Sequence, residues 1–278
     1  MLRGIMDSTR IADTDLAYSK EVLRGLRDGG MNFISTVLTI TRPFCQYPWQ
    51  GTQFNESFFD RFAAIVEWCN HLGLGLQVDL FNEPSLRHGN PLCYQSADPN
   101  LVRRVPTGSW AALCREYIRR VVPLVNRLNF GAVLFVLEGS GSAAFEKWSY
   151  DTALELGLSD KLIIVSNSVK GHPVVVHSPH VHSLVDIKRH GKQGAYLSDD
   201  GTYPHNEKKL NQFVSAAKGK GCAAFESLLG GFLSGESQLD SSGNPTGRRV
   251  EYNRRVRPTL SQCKNGIIGR MVMAFGKA

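Results

Sequence analysis

Short apolar runs alternate with amphipathic stretches along most of the chain. A first run, Leu2-Arg3-Gly4-Ile5-Met6, precedes a helix expected over Leu16 to Arg27. Leu16, Val22, Leu23 and Leu26 share one face of that helix, and Gly29-Gly30 stops it. The β-branched run Met31 to Ile40 reads as a strand. Ser57 to Leu72 repeats Phe58, Phe59, Phe62, Ile65, Val66 and Cys69 at helical spacing before Gly73, and Leu74 to Phe81 is the next strand. A polar loop with Pro84, Pro91, Pro99 and Pro106 follows. Ser109 is placed to cap a helix from Trp110 to Leu128 that Pro123 would kink. Gly131 to Leu137 is a strand, Ala143 to Leu156 a helix, and Leu162 to Val165 and Val174 to Val176 are strands. Ala195 to Leu197 begins another strand, Asn206 to Ala217 is a helix, and Cys222 to Phe225 is the last strand.

Eight nearly continuous apolar strands separated by helices predict a parallel sheet covered on both faces. A closed (β/α)8 TIM-like barrel and an open doubly wound sheet both satisfy this pattern. Neither Gly-x-Gly-x-x-Gly nor Gly-x-x-x-x-Gly-Lys-Ser/Thr occurs in the chain, so the nucleotide-binding sheet lacks its usual signals. The α/β barrel is the expected fold, over residues 1–235, with a basic C-terminal extension over 236–278. The Gly/Ser/Pro-rich stretch Ser241–Gly247 is the only plausible boundary.

Composition narrows the picture. The 278 residues are 42% hydrophobic and 21% charged, enough for a large core and unlike a disordered or collagenous chain. No apolar run approaches the roughly 18–20 residues of a membrane-spanning helix, and no signal peptide is visible at the start, so no membrane partner is expected and the compartment stays open. The net charge of +7 is concentrated at one end. Residues 241–278 hold eight basic side chains, five of them Arg248, Arg249, Arg254, Arg255 and Arg257, against Glu251 alone, whereas the preceding 240 residues hold 24 basic and 24 acidic ones. Such a segment suits a polyanion or an assembly partner, or is a solvated tail or a strap paired with acidic groups of the body. The six cysteines form no Cys-x-x-Cys and read as mostly free, buried thiols.

In a barrel, chemistry sits at the C-terminal ends of the strands. Asp79, Asn82 and Glu83 follow the third apolar run, with Arg87 beyond. Glu138 follows the fourth, and His177, His180 and His182 the sixth. Asp199 and Asp200 follow the seventh, and Glu226 the eighth. Two carboxylates across such a pocket can cleave a glycosidic bond, one protonating the leaving oxygen and the other attacking the anomeric carbon or activating water. Each acid alone is equally a helix cap or a salt-bridge partner. Trp49, with Tyr47 and Tyr94, is placed to stack on a sugar or to fill the core.

These motifs resemble those of the TIM-barrel glycoside hydrolase clan that includes the family 5 cellulases, over about Leu2 to Gly231. Arg3-Gly4-Ile5 is similar to that family's first-strand motif. Leu137-Glu138-Gly139 stands where the family has Asn-Glu-Pro, His180-Val181-His182 where it has His-x-Tyr, and Ser198-Asp199-Asp200-Gly201 where it has Gly-Glu-x-Gly. The resemblance implies Glu138 as acid/base and Asp199 as nucleophile in a retaining mechanism that needs no cofactor. It implies an oligo- or polysaccharide substrate; from their places at the strand ends and in the loops, Asp79, Asn82, Arg87 and Trp49 are read as sugar-side residues, His180 and His182 as orienting the two acids, and Asp200 and Glu226 as contacts of a sugar or of the residues that hold it. Leu137 replaces the family's Asn, and Asp199 is one methylene shorter than its Glu. A literal Asn82-Glu83-Pro84 also occurs, but after the third strand. Three other readings stay open: a non-catalytic carbohydrate-binding barrel, a structural component of a larger particle such as a virus, and a metal-dependent hydrolase built on the histidines.

Overall fold

The computed structural model describes residues 1–7, 9–39, 43–50, 53–82, 104–137, 143–166, 175–199, 207–227, 233, 235, 237–251 and 254–265. At Asn82, 134–137, His177, His180, Asp199, Glu226 and Ser227, among others, the description is of the backbone alone.

Nine strand segments form one all-parallel sheet: β1 (Leu2–Met6), β2 (Phe33–Val37), β5 (Gly75–Asn82), β6 (Gly131–Leu137), β7 (Ile163–Ser166), β8 (Val175–His177), β9 (His180–Val181), β10 (Tyr196–Asp199) and β11 (Ala224–Ser227). Their spatial order follows the chain, and β11 returns to pair with β1, Leu2 opposite Ala224 and Ile5 opposite Ser227. β8 pairs with β7 on one side and β9 with β10 on the other, with only Ser178 and Pro179 between them. The Ser178 N–H donates to Ser166 O at 2.8 Å and the Ser198 N–H to Pro179 O at 3.3 Å, so the two segments are the halves of one sixth strand. The expected (β/α)8 barrel is therefore the observed fold.

Helices α1 (Leu16–Asp28), α2 (Glu56–Leu72), α3 (Gly108–Val125), α4 (Ala143–Glu155), α5 (Leu184–His190) and α6 (Glu207–Gly219) cover the sheet. Asp15 caps α1, its carboxylate accepting from the Tyr18 N–H at 2.9 Å. Gly73 ends α2 with φ at 62°, a left-handed conformation that suits glycine. α3 begins earlier than the sequence suggests: Thr107 rather than Ser109 occupies the cap, and the helix ends at Val125 rather than Leu128. Pro123 falls in its last turn, so any kink it causes affects only the final residues of the helix. Tyr117 ties α3 to the barrel by donating its hydroxyl to Leu80 O at 3.1 Å, and the Trp68 indole ties α2 to α1 through Lys20 O at 3.0 Å. The short helix α5 and the two-stranded ribbon β3 (Trp49–Gln50) and β4 (Gln53–Phe54) are absent from the sequence reading.

Phe33 on β2 and Tyr196 on β10 meet edge to face with centroids 6.2 Å apart, although their strands are not neighbours in the sheet. That contact crosses the barrel and fixes which residues face inward. Gly4 pairs with Phe33, and a Cβ there would lie 2.8 Å from the Phe33 carbonyl oxygen. The first strand therefore needs a glycine at the position that the Arg-Gly-Ile resemblance singled out.

The C-terminal segment folds onto the barrel. β12 (Ser237–Leu239) and β13 (Pro245–Arg249) form an antiparallel hairpin, followed by α7 (Leu260–Lys264). Ser241–Gly247, read as a boundary, contains the turn of this hairpin: Asp240 Oδ1 accepts from the Ser242 and Asn244 N–H groups at 2.9 and 2.8 Å. α7 rests on α1, where the Tyr18 hydroxyl and Cys263 Sγ lie 3.4 Å apart. The five described cysteines are free, and four of them are buried, as expected.

Candidate active site at the strand ends

Because every barrel strand runs the same way, all their C-terminal ends open on one rim. Asn82 at the end of β5 is in register with Leu137 at the end of β6. Glu83 and Glu138, the next residue of each chain segment, lie outside the described residues, as do Arg87 and Asp200. Farther round the rim, Ser198 is in register with both His180 and Glu226, and Glu226 with Gly4. Tyr196 and Ser198 are two residues apart on β10 and so lie on the same face of that strand. Asp199 is in register with Val181 and Ser227, on the opposite row of the strand and at its last residue. The barrel thus gathers the strand positions of His180, Asp199 and Glu226 side by side.

Asp79 was expected at the pocket rim. It is fully buried. Its carboxyl accepts from Ser35 Oγ at 3.3 Å and from Gln77 Nε2 at 3.0 Å, while Gln77 Nε2 also donates to Ser35 Oγ at 2.9 Å. Burial pushes the Asp79 carboxyl up to about 7, against these hydrogen bonds.

Trp49, read as either a sugar platform or core, is core. Its ring lies 4.7 Å from that of Tyr117 and 5.8 Å from that of Phe54, and only 2% of the residue is exposed. It has no open face to offer a sugar ring. His182 is exposed just beyond β9, its N–H donating to Asp186 Oδ2 at 3.1 Å. No group of three His, Cys, Asp or Glu among the described residues is arranged to hold a metal.

The sequence reading passed over an ionic cluster at the end of β1. Asp7, Arg10 and Asp13 are fully buried, with Arg10 ion-paired to Asp7 and 3.7 Å from Asp13. Arg257 of the C-terminal segment enters this cluster. Its guanidinium spans both oxygens of Asp13, with Nε 2.9 Å from Oδ2, and lies 3.4 Å from Asp15. Its cationic carbon stands 5.0 Å from the Tyr18 ring and 5.6 Å from the Phe44 ring. The available signal was the density of charge, Asp7, Arg10, Asp13 and Asp15, directly after an apolar run, where the residues had to be buried or functional.

No protein-family model matches the chain, and no curated protein matches it by sequence. Solved structures match it by fold. An endo-1,4-beta-mannanase from Rhizomucor miehei superposes with a TM-score of 0.61 at 11% identity, covering 81% of this chain and 85% of that one. A GH5-4 broad specificity endoglucanase from Clostridium acetobutylicum gives 0.53 at 11% identity over 99% and 97%. A glycoside hydrolase family 5 structure from Bacteroides vulgatus ATCC 8482 gives 0.61 at 8% identity, covering 81% of this chain; the chain spans 57% of that protein's length. The closed ring of parallel strands, the order of its helices and these superpositions together give this chain a (β/α)8 barrel fold like that of these solved structures.

Proposed function

We propose that the protein is a glycoside hydrolase that cleaves O-glycosidic bonds of an oligo- or polysaccharide with a pair of carboxylates, Glu138 as acid/base and Asp199 as nucleophile. One observation carries this reading: the fold brings the ends of β6, β10 and β11 to one rim, and the sequence has an acid within one residue of each end. In the retaining scheme the acid protonates the leaving oxygen while the nucleophile bonds to the anomeric carbon. The same residue, now a base, then takes a proton from the water that releases the sugar. His180, in register with Ser198 beside Asp199, is suited to orient the nucleophile. Asn82, Arg87, His182 and Asp200 remain candidates for sugar contacts from the surrounding loops.

The register favours a second assignment of the nucleophile. Glu226 is in register with Ser198 and Gly4, one residue before the Asp199–Ser227 pair. Reducing-end release from a panel of neutral and acidic polysaccharides tests the function, and Asp199→Asn and Glu226→Gln separate the two nucleophiles. Loss of the nucleophile should lower turnover by at least about a thousandfold, whereas loss of a mere sugar contact costs about tenfold to a hundredfold. An absence of release from every polysaccharide, or full activity in both variants, contradicts the proposal.

A further inference from the structure

We propose that the C-terminal segment is a releasable strap across the loops that follow β1 and β2, and that Asp13 is its catch, a buried carboxylate shared between Arg257 of the strap and Arg10 of the body. The inference goes beyond the glycosidase reading and does not depend on it. Asp13 lies in the loop between β1 and α1, and this loop pairs with the one that follows β2. The Thr14 N–H donates to Phe44 O at 2.9 Å and the Gln46 N–H to Ala12 O at 2.6 Å, with Asp13 and Cys45 bridged between them. Both loops leave the C-terminal ends of their strands, so their seam stands on the rim where a barrel places its chemistry. The Asp13 carboxylate is fully buried in this seam and faces two arginines. Arg257 meets it with Nε and Nη2, whereas Arg10 Nη2 stands 3.7 Å away. That separation is about 1 Å longer than a hydrogen bond, so a small rotation of the carboxyl exchanges one partner for the other. Loss of Arg257 then does not strand a buried charge, which is the usual penalty for breaking such a pair.

The rest of the segment is thinly attached. Of residues 254–265 only Pro258 is buried, and Val256 is 75% exposed. Leu260 and Cys263 of α7 touch the core without being buried in it. Strap and body already part at a hollow of about 450 Å³, with Tyr18, Pro43 and Phe44 on one wall and Arg255, Val256 and Pro258 on the other. Few buried side chains over a gap mark a unit that opens locally at less cost than the whole fold. Gln262 Nε2 donates to Asp240 O at 2.9 Å, which ties α7 to the β12–β13 hairpin, so the two lift together. Lifting uncovers the Tyr18 and Phe44 rings and opens the side of the rim above β1 and β2.

Two cysteines serve as reporters. Cys263 on α7 lies half-buried against Tyr18, and Cys69 is fully buried in α2. The full chain is treated with iodoacetamide in increasing urea, and the rate at each thiol is read by peptide mass spectrometry. Wild type, Arg257→Ala, Asp13→Asn and the double variant are compared. Release of the strap predicts that wild-type Cys263 reacts at least about tenfold faster than Cys69, with a much shallower urea dependence, because local opening exposes little surface. Arg257→Ala should speed Cys263 by about tenfold or more, Asp13→Asn similarly, and the double variant no further than either. Equal rates and slopes at the two thiols of the wild type overturn the proposal, since the segment then leaves only with the whole fold. A Cys263 rate that Arg257→Ala leaves unchanged overturns it as well, and additive acceleration in the double variant overturns Asp13 as the catch. Hydrolysis plays no part in this readout, so failure of the glycosidase reading leaves its outcome untouched.

Discussion

Asp79 shows how far one residue's chemistry depends on where the chain buries it. In the unfolded chain its carboxyl titrates near 3.8, and inside the barrel it is pushed up to about 7. Between these values the unfolded chain has lost the proton and the folded protein still holds it. The contribution to stability is therefore fully present below about pH 4 and is lost as pH rises towards 7, by on the order of 4 kcal/mol. Asp79→Asn removes this titration while keeping the size of the side chain and an oxygen for Ser35 and Gln77 to bond. Urea unfolding at about pH 4.5 and about pH 7.5 should then show the variant gaining about 2–4 kcal/mol relative to wild type at the higher pH. Parallel pH dependences would mean that Asp79 is ionised in the fold. The sequence presented Asp79 as one more acid after an apolar run; only the ring contact between Phe33 and Tyr196 reveals that its row faces into the barrel.

At the scale of elements, Arg257 ties the C-terminal segment to the barrel. Arg257 supplies the buried Asp13 with two hydrogen bonds and packs near Tyr18 and Phe44. Arg257→Ala leaves the Asp13 carboxylate with the Asp15 N–H at 2.8 Å and Arg10 at 3.7 Å, and should cost about 2–3 kcal/mol. The check is thermal unfolding together with limited proteolysis, which should cut the hairpin and α7 faster in the variant; an unchanged melting temperature and cleavage rate would contradict the account. One of the expectations for the basic segment, a strap paired with acids of the body, is what the structure shows for Arg257. The barrel strands were legible because each is a short apolar run closed by a polar residue, as in Gly131–Leu137 before Glu138. The β3–β4 ribbon was not, since two-residue strands such as Trp49–Gln50 have no period to detect. Leu184–His190 escaped because seven residues with a single buried side chain, Ile187, show no apolar stripe.

The whole molecule is a closed barrel whose last strand returns to the first, and closure makes residues distant in sequence neighbours on one rim. The order of strands was legible, and with it the rim that carries Asn82, Leu137, Asp199 and Glu226. The rows were not legible, because a one-residue shift in a four-residue strand such as Tyr196–Asp199 exchanges its inward and outward faces without altering its composition. The most direct test of the central claim is hydrolysis by a Glu138→Gln variant, confirmed as folded, of two substrates: the polysaccharide that the wild type cleaves and a 2,4-dinitrophenyl glycoside of the same sugar. The account predicts that polysaccharide cleavage falls by about 10²–10⁴-fold, whereas formation of the glycosyl-enzyme from the dinitrophenyl glycoside, whose leaving group needs no proton, is largely retained. Polysaccharide cleavage at the wild-type rate by the variant would contradict it.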